Sequence, residues 1–212
     1  KRNDVNLHSI ISRNGLDSTL LAKKYNFKQS GTDPEFIWNN KEVNTIFILS
    51  RHNSHAEYIV KALKYRKNVF VEKPLCITED QLNLIEDAYK SSRKADGTGP
   101  LLMVGYNRRF SSFTQILKNE LRSIKSPKAF TYTCNAGFLD KDHWTNDTEV
   151  GGGRLLGEAC HFLDLITYLS SSKIDYLDIV KAKDQKFSPD TFSVNVKFRD
   201  GSIGNINYFS NG

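Results

Sequence analysis

The sequence predicts an α/β fold: a parallel sheet flanked by helices over residues 1–108, followed by an α+β region over 109–212 whose open sheet is mostly antiparallel. Three observations predict it. Strand-like and helix-like patterns alternate up to Tyr106. Polar clusters recur at the carboxyl ends of the strand candidates, where sheets of this kind bind ligands. Beyond Tyr106 the alternation stops, and a long helical stretch is followed by three strand candidates.

Val5 to Ser12 reads as a strand, ended by Arg13-Asn14-Gly15. Asp17 to Tyr25 reads as a helix with Leu20, Leu21 and Ala22 among polar positions. Asp33-Pro34 opens a short helix, since proline suits a first turn. Val43 to Leu49 is an apolar, β-branched run expected of a strand covered on both faces. From Ser54 to Leu63, Ala56, Ile59, Val60 and Leu63 form one helical stripe. Asn68 to Val71 is the next strand. Thr78 and Gln81 have capping-box spacing before a helix that directs Leu82, Ile85, Ala88 and Tyr89 inward. Leu101 to Tyr106 is a further strand, Phe110 to Leu121 a helix, Ala129 to Cys134 a strand and Leu155 to Leu169 a long helix. Ile174 to Ala182, Phe192 to Phe198 and Ser202 to Phe209 close the pattern. Phe192, Val194, Val196 and Phe198 alternate strictly, and Asp200-Gly201 is a hairpin turn signal.

Composition narrows the function classes. Apolar residues make up 39% of the 212, a globular proportion. No apolar run approaches the ~20 residues of a membrane span, and Lys1 to Asn6 do not read as a secretory leader. The three cysteines, Cys76, Cys134 and Cys160, stand far apart with no CxxC pair, which points to free thiols in the reducing cytoplasm and to no zinc site. The net charge of +6 raises nucleic-acid binding. The lysines, however, are scattered over expected helix surfaces. Mild positive charge also suits a phosphate-bearing cofactor or an anionic sugar.

The candidate site residues lie at the strand ends. Lys73, within Glu72-Lys73-Pro74, can aim its ammonium into a sheet-end cleft, where desolvation would let it polarise a hydroxyl or pass a proton; Pro74 suits a cis bond. The residues alone equally allow a solvated lysine in a surface turn. Gly151-Gly152-Gly153 permits close approach, unusual backbone angles or anion binding at a helix start, or is simply a flexible loop. His161 shares a helical stripe with Gly157, Asp164 and Tyr168, and Glu158 stands three residues before it. It suits proton removal from an alcohol, or serves as a structural histidine. His52 and His55 lack a third ligand for zinc, so contacts to a cofactor or a helix cap are expected. Ser12-Arg13 is placed to meet an adenosine ribose or its phosphate and leans toward NADP. Tyr132, Trp144 and Tyr208 are candidates to stack on a sugar or to pack in the core.

Glu72-Lys73-Pro74, the glycine triplet before a helix, and His161 with Asp164 together resemble the glucose-fructose oxidoreductase and inositol dehydrogenase family. Asn107-Arg108-Arg109-Phe110 and Asp142-His143-Trp144 bring the resemblance closer to a subgroup found in bacterial polysaccharide gene clusters. The resemblance covers nearly the whole chain. It implies a Rossmann domain, here truncated, and an open-sheet domain that lines the substrate cleft and forms homo-oligomer contacts. It implies NAD or NADP as cofactor and hydride transfer to or from a sugar, polyol or nucleotide sugar; the scattered lysines and short apolar runs already lead us to expect no nucleic acid and no membrane as partner. By resemblance Lys73 touches substrate and cofactor, and His161 is the acid or base. Ser50, Arg51, His52 and His55 pack on the cofactor, as do Glu72 and Pro74. Asn107, Arg108, Trp144 and Glu158 face the substrate. Two departures stand out. The first strand and glycine loop of the family are not found in the sequence, so a fragment is expected. The aspartate that many members carry four residues before the histidine is here Gly157.

Overall fold

The computed structural model describes residues 4–182 and 190–210. Its elements are β1 (Ser9–Ile11), α1 (Gly15–Tyr25), β2 (Gln29–Gly31), α2 (Glu35–Trp38), β3 (Thr45–Ile48), α3 (His55–Lys64), β4 (Asn68–Val71), α4 (Glu79–Ser92), β5 (Leu102–Val104), α5 (Ser112–Leu121), β6 (Ala129–Asn135), α6 (Cys160–Ser170), β7 (Ile174–Lys181), β8 (Phe192–Phe198) and β9 (Ile203–Phe209). Short 3-10 turns cover His52–Ser54, Asn107–Phe110 and Trp144–Asn146, and a π-helical turn, Leu155–Ala159, leads into α6. The chain divides into two compact units. One holds residues 1–48, 57–70 and 84–103; the other holds 49–56, 71–83 and 104–212.

In the first unit β1 and β2 pair in parallel as a two-stranded sheet, while β3, β4 and β5 form a three-stranded one in that order. Val69 N donates to Leu101 O and Gly105 N to Val71 O, so the bonds climb both strands together, the parallel pattern. Ala56, Ile59 and Leu63 of the expected α3 stripe are buried and Val60 is half-buried, and Ile46, Ile48, Val69 and Ile85 are buried with them. Asn14 caps α1 through Leu16 N at 3.0 Å. Thr78 Oγ1 accepts from Gln81 N at 3.2 Å, and Gln81 Oε1 accepts from Ile77 N at 3.0 Å, closing the start of α4.

Two expectations need correction, for the Val43–Leu49 run and for Leu82 of α4. The Val43–Leu49 run is not covered on both faces: Phe47 is 63% exposed and stacks on Phe70 at 5.1 Å. A second dry face needs a covering layer, and none of the described residues supplies it. In α1 the small residues Ser18 and Ala22 are buried and Leu20 and Leu21 are exposed. In α4 Ile85 is buried but Leu82 is exposed.

In the second unit the sheet order is β6-β9-β8-β7. The β6–β9 pair is parallel, and β9–β8 and β8–β7 are antiparallel. Phe192, Val194, Val196, Phe198, Ile206 and Tyr208 face α6, which contributes Phe162 and Ile166 to the same core. A side chain at Gly204 would meet Ile166 Cδ1 at 2.7 Å, so the helix lies directly on the β9 backbone. Lys118 of α5 donates to Tyr168 O and to Ser171 Oγ, capping the exposed carbonyls at the end of α6.

Candidate active site

The second unit gathers the strand-end loops. His55, fully buried, faces Pro74 O with Nδ1 at 2.7 Å and Ser50 O with Nε2 at 3.0 Å, tying residues 50–55 to 72–74. The Lys73–Pro74 bond is cis. Glu72 Oε2 accepts from Lys73 N at 3.2 Å. The Lys73 ammonium donates to Gly157 O at 2.6 Å. Gly157 lies in the π-helical turn, a geometry that widens the helix and often marks functional positions.

His161 follows Gly157 by four residues, and the charge of Lys73 reaches its ring. Burial first, then Lys73 and Arg108, lower the His161 pKa, while Glu72 and Asp164 act the other way. Its Nδ1 is buried with no hydrogen-bond partner. Tyr106, after β5, turns a ring edge toward it, with centroids 6.2 Å apart. Burial raises the Tyr106 pKa, so its hydroxyl stays protonated across the physiological range. Asp164, the neighbour of His161 one turn on, is held by Arg109, whose Nε donates to Oδ2 at 2.6 Å while Nη2 donates to Oδ1. Cys160, next to His161, has its thiol pushed up to about 11 by burial and remains unionised.

His52 is the third cluster member. Its Nδ1–H donates to Gly151 O at 2.7 Å, and Asn53 N donates to Val150 O at 3.1 Å. Its ring meets Trp144 edge-on at 4.8 Å, and Arg51 lies over the Trp144 ring at 5.4 Å. Gly151 is required here: an added Cβ would come within 2.4 Å of the Thr145 backbone. Gly152 takes φ +73°, beside Ile77. The triplet is thus a packed turn that presents a carbonyl to His52.

The structure brings Lys73, His161, His52, His55, Glu72 and Pro74 into one unit with Asn107, Arg108 and Trp144. Arg108 is exposed, lies over the Phe162 ring at 4.9 Å and donates to Tyr132 OH at 3.3 Å. Trp144 is engaged with His52 and Arg51. Glu158, three residues before His161, accepts from Arg154 Nε at 3.1 Å and from the buried Tyr208 hydroxyl. A one-residue step turns a helical side chain by ~100°, and this one turns Glu158 toward the sheet. Tyr208 is accordingly core, stacked on Phe192 at 4.9 Å. Ser12 and Arg13 lie in the first unit; Ser12 Oγ donates to Asn14 O at 2.6 Å and Arg13 is exposed. Sequence reasoning missed Tyr106, the Gly157 carbonyl and the Arg109 clamp on Asp164. Only the position of Tyr106 at a strand end signalled any of them.

Comparison with known proteins settles the family. Residues 1–106 match the model of the NAD-binding Rossmann-fold domain of the GFO/IDH/MocA oxidoreductase family, and residues 114–212 match the model of its C-terminal α/β domain. The chain belongs to this family. It is 26% identical to myo-inositol 2-dehydrogenase of Thermotoga maritima over 200 residues, covering 88% of this chain and 55% of that protein. It is 26% identical to D-glucoside 3-dehydrogenase of Escherichia coli over 172 residues, covering 79% of this chain and 47% of that protein. Levoglucosan dehydrogenase, solved with NADH and levoglucosan, superposes with a TM-score of 0.82 at 20% identity, covering 98% of this chain and 59% of that one. The chain therefore spans about half the length of these relatives. No helix of the described residues is long and apolar enough to cross a membrane.

Proposed function

We propose that this chain carries the proton-handling part of a nicotinamide-dependent oxidoreductase acting on a hydroxyl-bearing carbon of a sugar, polyol or nucleotide sugar. One observation carries the reading: the Lys73 ammonium sits on Gly157 O at 2.6 Å, one turn before a histidine that burial and that same ammonium hold in its neutral form. Ser50, Arg51, His55, Glu72, Lys73 and Pro74, tied together through His55, fit the nicotinamide end of a dinucleotide. Ser12 and Arg13 end a parallel strand, the usual place for an adenosine ribose. NAD or NADP, when bound, takes up or supplies the hydride.

The residues of the chain handle the rest. Lys73 donates to the substrate oxygen and stabilises the charge that grows there. Neutral His161 accepts the hydroxyl proton during oxidation and returns it during reduction. Asp164 is held by Arg109 and fixes the helix face that carries His161. Expected for the full-length protein is a change in 340 nm absorbance with a sugar or inositol panel. Lys73→Ala and His161→Ala should each lower turnover by about 10²-fold or more with the melting temperature little changed. Turnover within a few-fold of the parent would sink the assignment.

A second reading, a sugar- or dinucleotide-binding relative without hydride transfer, is favoured by Gly157, which offers no carboxylate to orient His161. It predicts dinucleotide binding with no absorbance change for any sugar. On the first reading the protein works in the cytoplasm and self-associates through the outer face of its open sheet, where Ser193, Asn195, Asn205 and Asn207 hydrogen-bond in a chain.

A further inference from the structure

We propose that His52 is a specificity-determining residue, whose Nε2 accepts a hydrogen bond from a hydroxyl of the sugar-like substrate in the space above Gly157. This rests on the oxidoreductase reading above. Three independent observations carry it. First, the tautomer is assigned by geometry. Gly151 O can only accept, so the nitrogen 2.7 Å from it carries the proton and the other, Nε2, is left as the acceptor. Second, no described residue donates to that nitrogen, and it is not closed off inside the protein, unlike His161 Nδ1. An open acceptor on a ring fixed at its other nitrogen can take a ligand hydroxyl. Third, the ring stands over the bare α-carbon of Gly157. A Cβ there would lie 3.1 Å from His52 Cε1 and 3.6 Å from Thr145 Cγ2.

The third point links the two unusual positions. Gly157 has no side chain, so His52 occupies the room a side chain would take, while the Gly157 carbonyl holds Lys73. The ring cannot easily retreat, because Gly151 O fixes one edge and Trp144 meets it at 4.8 Å. Lys73 is also close enough for its charge to act on His52. A hydroxyl reaching Lys73 thus carries a neighbouring hydroxyl toward His52. Selection follows from the locked donor side: Nε2 accepts from a hydroxyl and rejects a carbonyl or ether at the same place.

The test uses the full-length protein. His52→Asn keeps a donor for Gly151 O, because the Asn Nδ2 overlays the histidine Nδ1, and removes the Nε2 acceptor. Probes are NADH, myo-inositol, D-glucose and methyl glucosides. Expected is a rise of about five- to tenfold in KM for the preferred sugar, with the NADH Kd from fluorescence titration and the melting temperature unchanged. Gly157→Ala should raise KM by a similar factor by pushing the ring aside. Combined with His52→Asn it should add nothing further. If the parent turns over no sugar, the oxidoreductase reading fails separately. The sugar Kd of parent and variant by calorimetry then still reads the same contact. A changed NADH Kd with sugar affinity intact would make His52 a cofactor contact. A lowered melting temperature alone, or additive effects of the two substitutions, would make it structural. Any of these outcomes overturns the proposal.

Discussion

His161 owes its chemistry to what surrounds it rather than to its own helix. Burial, Lys73 and Arg108 together depress its pKa from the ordinary 6.5. The sign has two consequences. Below pH 6.5 the unfolded chain binds more protons than the folded one, so stability rises with pH through that window and falls on acidification. A rate that needs the neutral ring should hold down to pH values under 6.5. Histidine ring NMR on the Lys73→Met variant is expected to show His161 titrating higher than in the parent, because one depressing charge is gone. An unmoved titration would mean that the ammonium and the imidazole do not face each other. Arg109 and Asp164 make a different kind of prediction. The Asp164 side chain is 7% exposed and doubly held, so Asp164→Ala leaves a half-buried guanidinium unpaired. The expected cost is about 1–2 kcal/mol by denaturant titration, because water reaches the freed guanidinium, with turnover falling as His161 loses its fixed face.

Among the elements, the turn from Trp144 to Gly153 and the π-helical turn after it decide where the site residues point. Gly151→Ala should destabilise by about 1–3 kcal/mol, because the added methyl meets backbone at Thr145 that has no rotamer to escape into; thermal unfolding would show it. This level of detail was not legible in the sequence. Periodicity finds an apolar stripe, and Phe162, Ile166 and Leu169 are indeed buried on α6. It cannot show that the residues before Cys160 have π register, since one altered hydrogen-bond step leaves composition unchanged. The turn of Glu158 toward Arg154 and Tyr208 is therefore not readable from its spacing to His161. The same blindness applies to Leu82. Apolar character alone does not tell a core contact from a side chain that lacks a covering layer.

At the scale of the molecule, the repeat of strand, turn and helix was legible, because each strand ends in its own polar cluster and two of those clusters meet around His55. The mixed β6-β9-β8-β7 sheet was legible as strands, and its hairpin as Asp200-Gly201, but the parallel β6–β9 pair was not, since no local turn encodes it. By contacts, residues 49–56 and 71–83 pack with the second unit. A tail truncated before β8 should therefore weaken more than the sheet. Deleting residues 190–212 is expected to expose His52 and Lys73 to solvent, seen as faster amide exchange in residues 50–55.

The two contacts that anchor the cluster, His52 to Gly151 and Lys73 to Gly157, join positions 99 and 84 residues apart in the chain. Closing spans of that length is entropically slow compared with winding a helix. During synthesis α3 and β4 can form while the glycine turn is still unmade, so reactive groups meet only after the segment from Gly151 to His161 has left the ribosome. A nascent chain stalled before Gly151 would be ordered in its early helices yet chemically inert.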